Sequence, residues 1–149
     1  MGSSLRLKLL PLRIPYRPQP DQYGSCHYSV MLNVQFSLPK PNSPRTKRIE
    51  CVIDSGASCC LFHSSIADHL GLDLKAGRVQ MTNGIGGIEE TWLHDISLFI
   101  PGGPIQITAG FKENLSVAGL LGMTGFFEHF RVTFDSAAKE CVLERIFQA

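Results

Sequence analysis

From Tyr28 onward, apolar side chains recur at every second position. Tyr28, Val30, Leu32, Val34, Phe36 and Leu38 alternate with Ser29, Met31, Asn33, Gln35 and Ser37. A period of two puts alternate residues on opposite faces of an extended chain, so the stretch predicts one half-buried strand. The proline-rich segment 39–44 ends it, and Ile49, Cys51 and Ile53 resume the alternation as the second arm of a hairpin. This second arm runs into Asp54-Ser55-Gly56-Ala57. A carboxylate at the end of a buried strand is costly unless its charge is used or its oxygens are satisfied, so Asp54 is the leading candidate for chemistry.

Beyond Leu61-Phe62 the period lengthens. Ser65 and Asp68 have capping-box spacing, Ile66 and Leu70 are one helical turn apart, and Gly71 suits a stop, which predicts a short helix. Thr82-Asn83-Gly84-Ile85-Gly86-Gly87 reads as a mobile hairpin tip, because its glycines tolerate positive backbone angles. Trp92, Ile96, Leu98 and Ile100 share one strand face; Pro101-Gly102-Gly103-Pro104 turns the chain, and Ile105, Ile107, Ala109 and Phe111 share the next. Leu120-Leu121-Gly122 predicts a short buried strand, and Met123–His129 one or two helical turns. Phe130, Val132 and Phe134 alternate before Asp135, and Cys141–Ile146 forms a closing strand. Many short strands with few helical turns describe an all-β, barrel-like domain.

Composition fits one such domain: 149 residues with 44% hydrophobic content supply a single core. The formal net charge of +1 is unevenly spread. Residues 1–48 hold eight Lys or Arg against Asp21 alone, a net +7, while residues 49–149 hold six against twelve carboxylates, a net −6. Residues 1–20 read as a basic N-terminal arm, solvated or bracing a second subunit, ahead of a domain over 21–149. Only Tyr16 in the arm offers a base-stacking ring, so no nucleic-acid partner is expected. The apolar Leu9-Leu10-Pro11-Leu12 patch is too short for a signal-peptide core and no later run approaches about 20 apolar residues. Arg6 breaks the myristoylation pattern after Gly2. The expectation is a cytoplasmic protein without a membrane partner. Five cysteines at irregular spacing argue for reduced thiols.

Val52-Ile53-Asp54-Ser55-Gly56-Ala57, the helix ending in Leu70-Gly71-Leu72, the Gly84–Gly87 tip and Leu120-Leu121-Gly122 together resemble the retropepsin-like (retroviral-type) aspartic peptidases, over roughly Tyr28 to Ile146. The resemblance implies a small closed β-barrel of the acid-protease type with one or two short helices, acting as a symmetric homodimer. Each subunit of such a dimer gives one aspartate. This chain has one Asp-Ser-Gly, and Asp135-Ser136-Ala137 lacks the glycine, so a two-fold axis is needed to supply two carboxylates. The implied activity is endopeptidase cleavage of a polypeptide substrate without metal or cofactor. Asp54, Ser55 and Gly56 form the catalytic set; Ala57 and the flap residues Asn83, Gly84, Ile85, Gly86 and Gly87 bind substrate. Leu121 and Gly122 lie behind the active-site loop. Two positions depart from the family, in which a carboxylate two residues after the motif glycine often pairs with an arginine just after the second glycine. Ser58 and Met123 occupy them here, so no lone buried charge remains.

Other readings stay open on the residues alone. Asp54 also fits an ordinary turn aspartate bonded to nearby N–H groups, and Gly84–Gly87 an ordinary hairpin turn. The five histidines show no common spacing and fit surface or satisfied core positions, and Trp92 fits a core or flap-base aromatic. A non-catalytic dimerisation or peptide-binding module would share the fold. Cys59, Cys60 and His63 are close enough for a thiol or metal site, although adjacent cysteines lack the usual zinc-ligand spacing.

Overall fold

The structure, a computed structural model, describes residues 10–84 and 86–147. The hairpin that delivers Asp54 consists of β4 (Met31–Ser37) and β5 (Ile49–Ile53), antiparallel, with Met31 opposite Val52 and Val34 opposite Ile49. Leu32, Val34, Phe36, Cys51 and Ile53 point into the core, as their alternation requires. The expected single strand from Tyr28 to Leu38 is interrupted at Val30. The Val30 carbonyl accepts the Ile53 N–H at 2.9 Å, and the chain before it leaves the sheet as β3 (Cys26–Ser29). β3 pairs instead with β2 (Arg17–Pro20), whose prolines lack the N–H groups that an interior strand would donate. Tyr28 is consequently exposed rather than buried.

The predicted helix forms as α1 (Ser64–His69) behind β6 (Leu61–His63), but its N-cap is His63 and not Ser65. His63 Nδ1 accepts the Ser65 N–H at 3.1 Å, a role normally taken by an oxygen side chain. At the other end Gly71 adopts a left-handed φ of 72°, the Leu72 N–H reaches the Ala67 carbonyl and the Gly71 N–H reaches Asp68. This is the Schellman pattern, which needs the positive φ that glycine supplies.

β7 (Arg78–Gly84), β8 (Gly87–Ile100) and β9 (Gly103–Lys112) form a long meander. β10 (Gly119–Leu121) lies parallel to β5 and antiparallel to β6. The strand order is β4-β5-β10-β6-β9-β8-β7, and a further β4–β8 pairing closes the first six into a ring, with β7 extending as one arm of a hairpin. The fold is mostly β, as expected. Inside the ring Phe36 meets Phe62 edge-on at 4.7 Å between centroids, and Phe62 meets Phe111 at 5.9 Å. The segment 123–129 makes only a single 3-10 turn at Phe127–His129, since the chain must extend again at Phe130 to begin β11 (Phe130–Asp135).

β12 (Glu140–Arg145) lies between β11 and β1 (Leu12–Pro15) in a separate three-stranded sheet. The described part of the basic leader is therefore paired to its own chain. Arg13 joins Glu140 and Arg17 joins Glu50 bidentately, each at 2.6 Å. No helix among the described residues is long and apolar enough to cross a membrane.

The short parallel contact of β5 and β10 leaves no room at its edge. A Cβ on Gly122 would collide with the carbonyls of Cys59 and Ala57, and one on Gly119 would meet the Phe62 ring and the Cys51 sulfur. Gly122→Ala is expected to destabilise the fold by about 1–3 kcal/mol, or more if the backbone cannot shift. Thermal unfolding of the variant beside wild type measures this directly; an unchanged midpoint would refute the packing argument.

Candidate active site

Asp54 follows the last residue of β5 and continues its ladder for one more step, its N–H donating to the Leu121 carbonyl at 3.0 Å. The chain then reverses. The Ala57 N–H reaches the Asp54 carbonyl at 3.2 Å, and the Gly56 N–H donates to Asp54 Oδ1 at 2.8 Å. This side-chain bond is the Asx-turn expected of the bland reading, and it also fixes the carboxylate orientation. One oxygen is held, while Oδ2 has no hydrogen-bond partner among the described residues. A Cβ at position 56 would lie 3.1 Å from Asp54 Oδ1, so glycine lets backbone approach the carboxylate.

The second glycine motif is laced to this turn. Met123 N–H donates to Ala57 at 2.9 Å, Thr124 N–H donates to Ser58 at 3.0 Å, and Cys59 and Thr124 form a parallel bridge. Ser58 and Met123, which depart from the family's ion pair, have exposed side chains, and their main chains carry the connection. Leu121 is fully buried behind the turn. Asp54 itself is half-buried, Ser55 and Gly56 are exposed and Ala57 is half-buried.

A cavity of about 450 Å³ opens beside Asp54 and Ser55. Tyr16, Tyr28, Phe134 and Ser136 form its far wall, with Tyr16 and Ser136 hydroxyls 3.4 Å apart. Sequence reasoning did not find these residues. Tyr28 and Phe134 read as core-face positions of alternating strands, and nothing near Tyr16 in the chain points to a site. Asp135 is a turn residue, its Oδ1 accepting the Ala138 N–H at 2.9 Å, so the second Asp-Ser sequence serves the β11–β12 turn.

The residues expected to form a flap lie on the β7–β8 hairpin, where Gly84 pairs with Gly87. Ile85 lies outside the described residues. Asn83, Gly86 and Gly87 are exposed, and no hydrogen bond among the described residues connects them to the Asp54 turn. The hairpin base is anchored: Thr82 and the fully buried Thr91 face each other at 3.2 Å, and Lys112 forms an ion pair with Glu89. Trp92 is buried below them.

The thiol alternative finds no support. Burial pushes the Cys60 thiol up to about 11, and its sulfur faces the Thr124 carbonyl at 3.6 Å, while His63 is committed to the helix cap. Cys51 is pushed up to about 12 by the same desolvation.

Residues 42–124, more than half of the chain, match the family described as aspartyl protease. Among solved structures, a retropepsin-like aspartic protease from Rickettsia conorii superposes with a TM-score of 0.64 at 20% identity, covering 91% of this chain and 90% of that one. The retroviral protease-like domain of Ddi1 from Leishmania major has a TM-score of 0.48 at 16% identity, covering 78% and 94%. For EIAV protease complexed with the inhibitor HBY-793 the values are 0.47 and 18%, covering 62% and 79%. No curated protein matches the chain. With its architecture shared over nine-tenths of its length and the family match running from ahead of β5 through the Gly122 turn, this chain belongs to the aspartyl protease family and has a retropepsin-like fold.

Proposed function

We propose that the protein is an aspartic endopeptidase in which two copies of the chain each contribute Asp54. The observation that carries this reading is the Asp54 carboxylate itself. It is held at one oxygen by Gly56, is free at the other among the described residues, and opens onto a cavity. One chain supplies one such group, and a symmetric pair supplies two. Two carboxylates at contact distance cannot both ionise cheaply, so they hold a single proton and titrate as a unit. One then takes a proton from water as that water attacks the peptide carbonyl. The other protonates the carbonyl oxygen. The first then gives its proton to the leaving nitrogen while a diol hydroxyl returns a proton to the second, and the C–N bond breaks to release the amine and the carboxylic acid. In this reading the Ser55 hydroxyl ties the two turns across the dimer, and Gly56 and Ala57 offer backbone to the substrate.

An extended polypeptide would lie between the Asp54 turns and the hairpin tip Asn83–Gly87, bound through strand-like main-chain contacts. The anchored base and glycine-rich tip of the β7–β8 hairpin support a flap that closes from its end. The Thr82, Thr91, Glu89 and Lys112 contacts would serve as its hinge.

Asp54→Asn is expected to lower kcat/KM on an unbiased peptide mixture by at least about a hundredfold, with circular dichroism unchanged. At low protein concentration the wild-type rate should rise faster than linearly, because only the pair is active. The rate should fall toward alkaline pH as the shared proton is lost. A folded wild type that cuts nothing at any pH would instead favour the non-catalytic peptide-binding module.

Thiol reagents give a separate check on the fold that supports this site. Cys51, Cys60 and Cys141 are buried, whereas Cys26 is exposed and Cys59 partly so. At neutral pH only the latter two should react readily, with the remaining three becoming accessible on denaturation; rapid reaction of all five would contradict the closed ring.

A further inference from the structure

The fold divides the basic side chains of residues 10–48 into two groups. Arg13 and Arg17 are paired with Glu140 and Glu50, but Lys40, Arg45, Lys47 and Arg48, all exposed in the β4–β5 connection, make no ion pair among the described residues. Two of these cations are organised. The Arg45 guanidinium lies over the Phe99 ring, 3.9 Å from its centroid, and Arg45 and Arg48 together border a cavity of about 420 Å³. Asn33, Gln35, Phe99 and Pro104 complete the walls used here. A guanidinium laid on a ring is held in place while its in-plane N–H donors stay available, an arrangement suited to bidentate contact with a planar oxyanion. Glu50, opposite Asn33 on the neighbouring strand, is occupied by Arg17, so it does not neutralise the site.

We infer that this pocket is a docking site for an acidic peptide segment, with Arg45 and Arg48 receiving a side-chain carboxylate. The Asn33 carboxamide makes no side-chain hydrogen bond among the described residues, and Gln35, whose Nε2 donates to the Thr46 carbonyl at 2.9 Å, keeps its Oε1 as an acceptor for a peptide main chain. Phe99 and Pro104 offer an apolar wall for the neighbouring side chains. A nucleic acid fits less well, because the one ring in the pocket is already covered by Arg45 and no open stacking platform remains. The site is distinct from Asp54. The two cavities share no lining residue, and Glu50 lies four residues before Asp54, about 13 Å along β5.

Fluorescence anisotropy would test this with a labelled glutamate-rich peptide, its glutamine counterpart and a single-stranded oligonucleotide. The proteins would be wild type, Asp54→Asn, Arg48→Gln and Arg45→Gln/Arg48→Gln. The glutamate peptide should bind at least about tenfold more tightly than the glutamine one, and the double variant should lose most of that preference. About 0.5 M salt should weaken binding, and Asp54→Asn should bind like wild type. Equal binding of the two peptides, or a folded double variant that binds like wild type, would overturn the site; tighter binding of the oligonucleotide would overturn its assignment to peptide. Arg45 packs on Phe99, so if the double variant unfolds, Arg48→Gln alone decides: at least a threefold loss supports the site and no loss overturns it. Because Asp54→Asn leaves this pocket intact, an absence of proteolysis would not bear on the result.

Discussion

The close approach of two backbones at Gly122 is the constraint on which the rest of the molecule depends. Gly122 lies against the Ala57 and Cys59 carbonyls, and this contact lets the Met123 and Thr124 N–H groups reach the chain just after the Asp54 turn. The strand that Gly122 follows, β10, fills the gap between β5 and β6 and so completes the ring. Any side chain there would push the two segments apart, weakening the barrel and freeing the turn together. Stability and site geometry are thus joined in one place. That the uncharged Ser58 and Met123 make no ion pair matters little for the same reason: main-chain hydrogen bonds span that position, and they carry no net charge whose desolvation must be offset.

Around this rigid centre the polar groups are disposed differently at each edge. At the base of the β7–β8 hairpin, Lys112 and Glu89 pair in a setting where the lysine is largely buried, and Thr91 has its hydroxyl partnered by Thr82. Buried polar groups so satisfied hold a hairpin in one register. Val79, Met81 and Ile88 on the same hairpin are exposed, and the tip carries glycines. Elsewhere, the cations of the β4–β5 connection make no ion pair among the described residues. The electrostatic asymmetry of the sequence therefore survives folding there, whereas Arg13 and Arg17 are paired with Glu140 and Glu50.

Much of this was legible along the chain. The alternation from Val30 to Phe36 and at Cys51 and Ile53 determined the β4–β5 hairpin, because a half-buried strand has to place apolar groups at every second residue. Gly71 marked the helix end, since a Schellman turn requires a positive φ there. Asp54-Ser55-Gly56 with Leu121-Gly122 identified the turn and its support as a pair of motifs. Less legible were features that depend on partners distant in sequence. The His63 cap was missed because histidine is not among the usual capping residues, and the chain break at Val30 because it depends on Ile53.

By itself, then, the sequence determined the all-β class, the strand that delivers Asp54 and the glycines that let its support approach. These are consequences of local periodicity and steric bulk. Tertiary structure alone decided that the leader pairs with β12 and β3, that Tyr16, Tyr28 and Phe134 wall the cavity beside Asp54, and that Arg45 stacks on Phe99. Apart from the local β2–β3 hairpin, those contacts join residues separated by more than ten positions. Whether they meet depends on which strands become neighbours when the ring closes, and no local pattern encodes that choice.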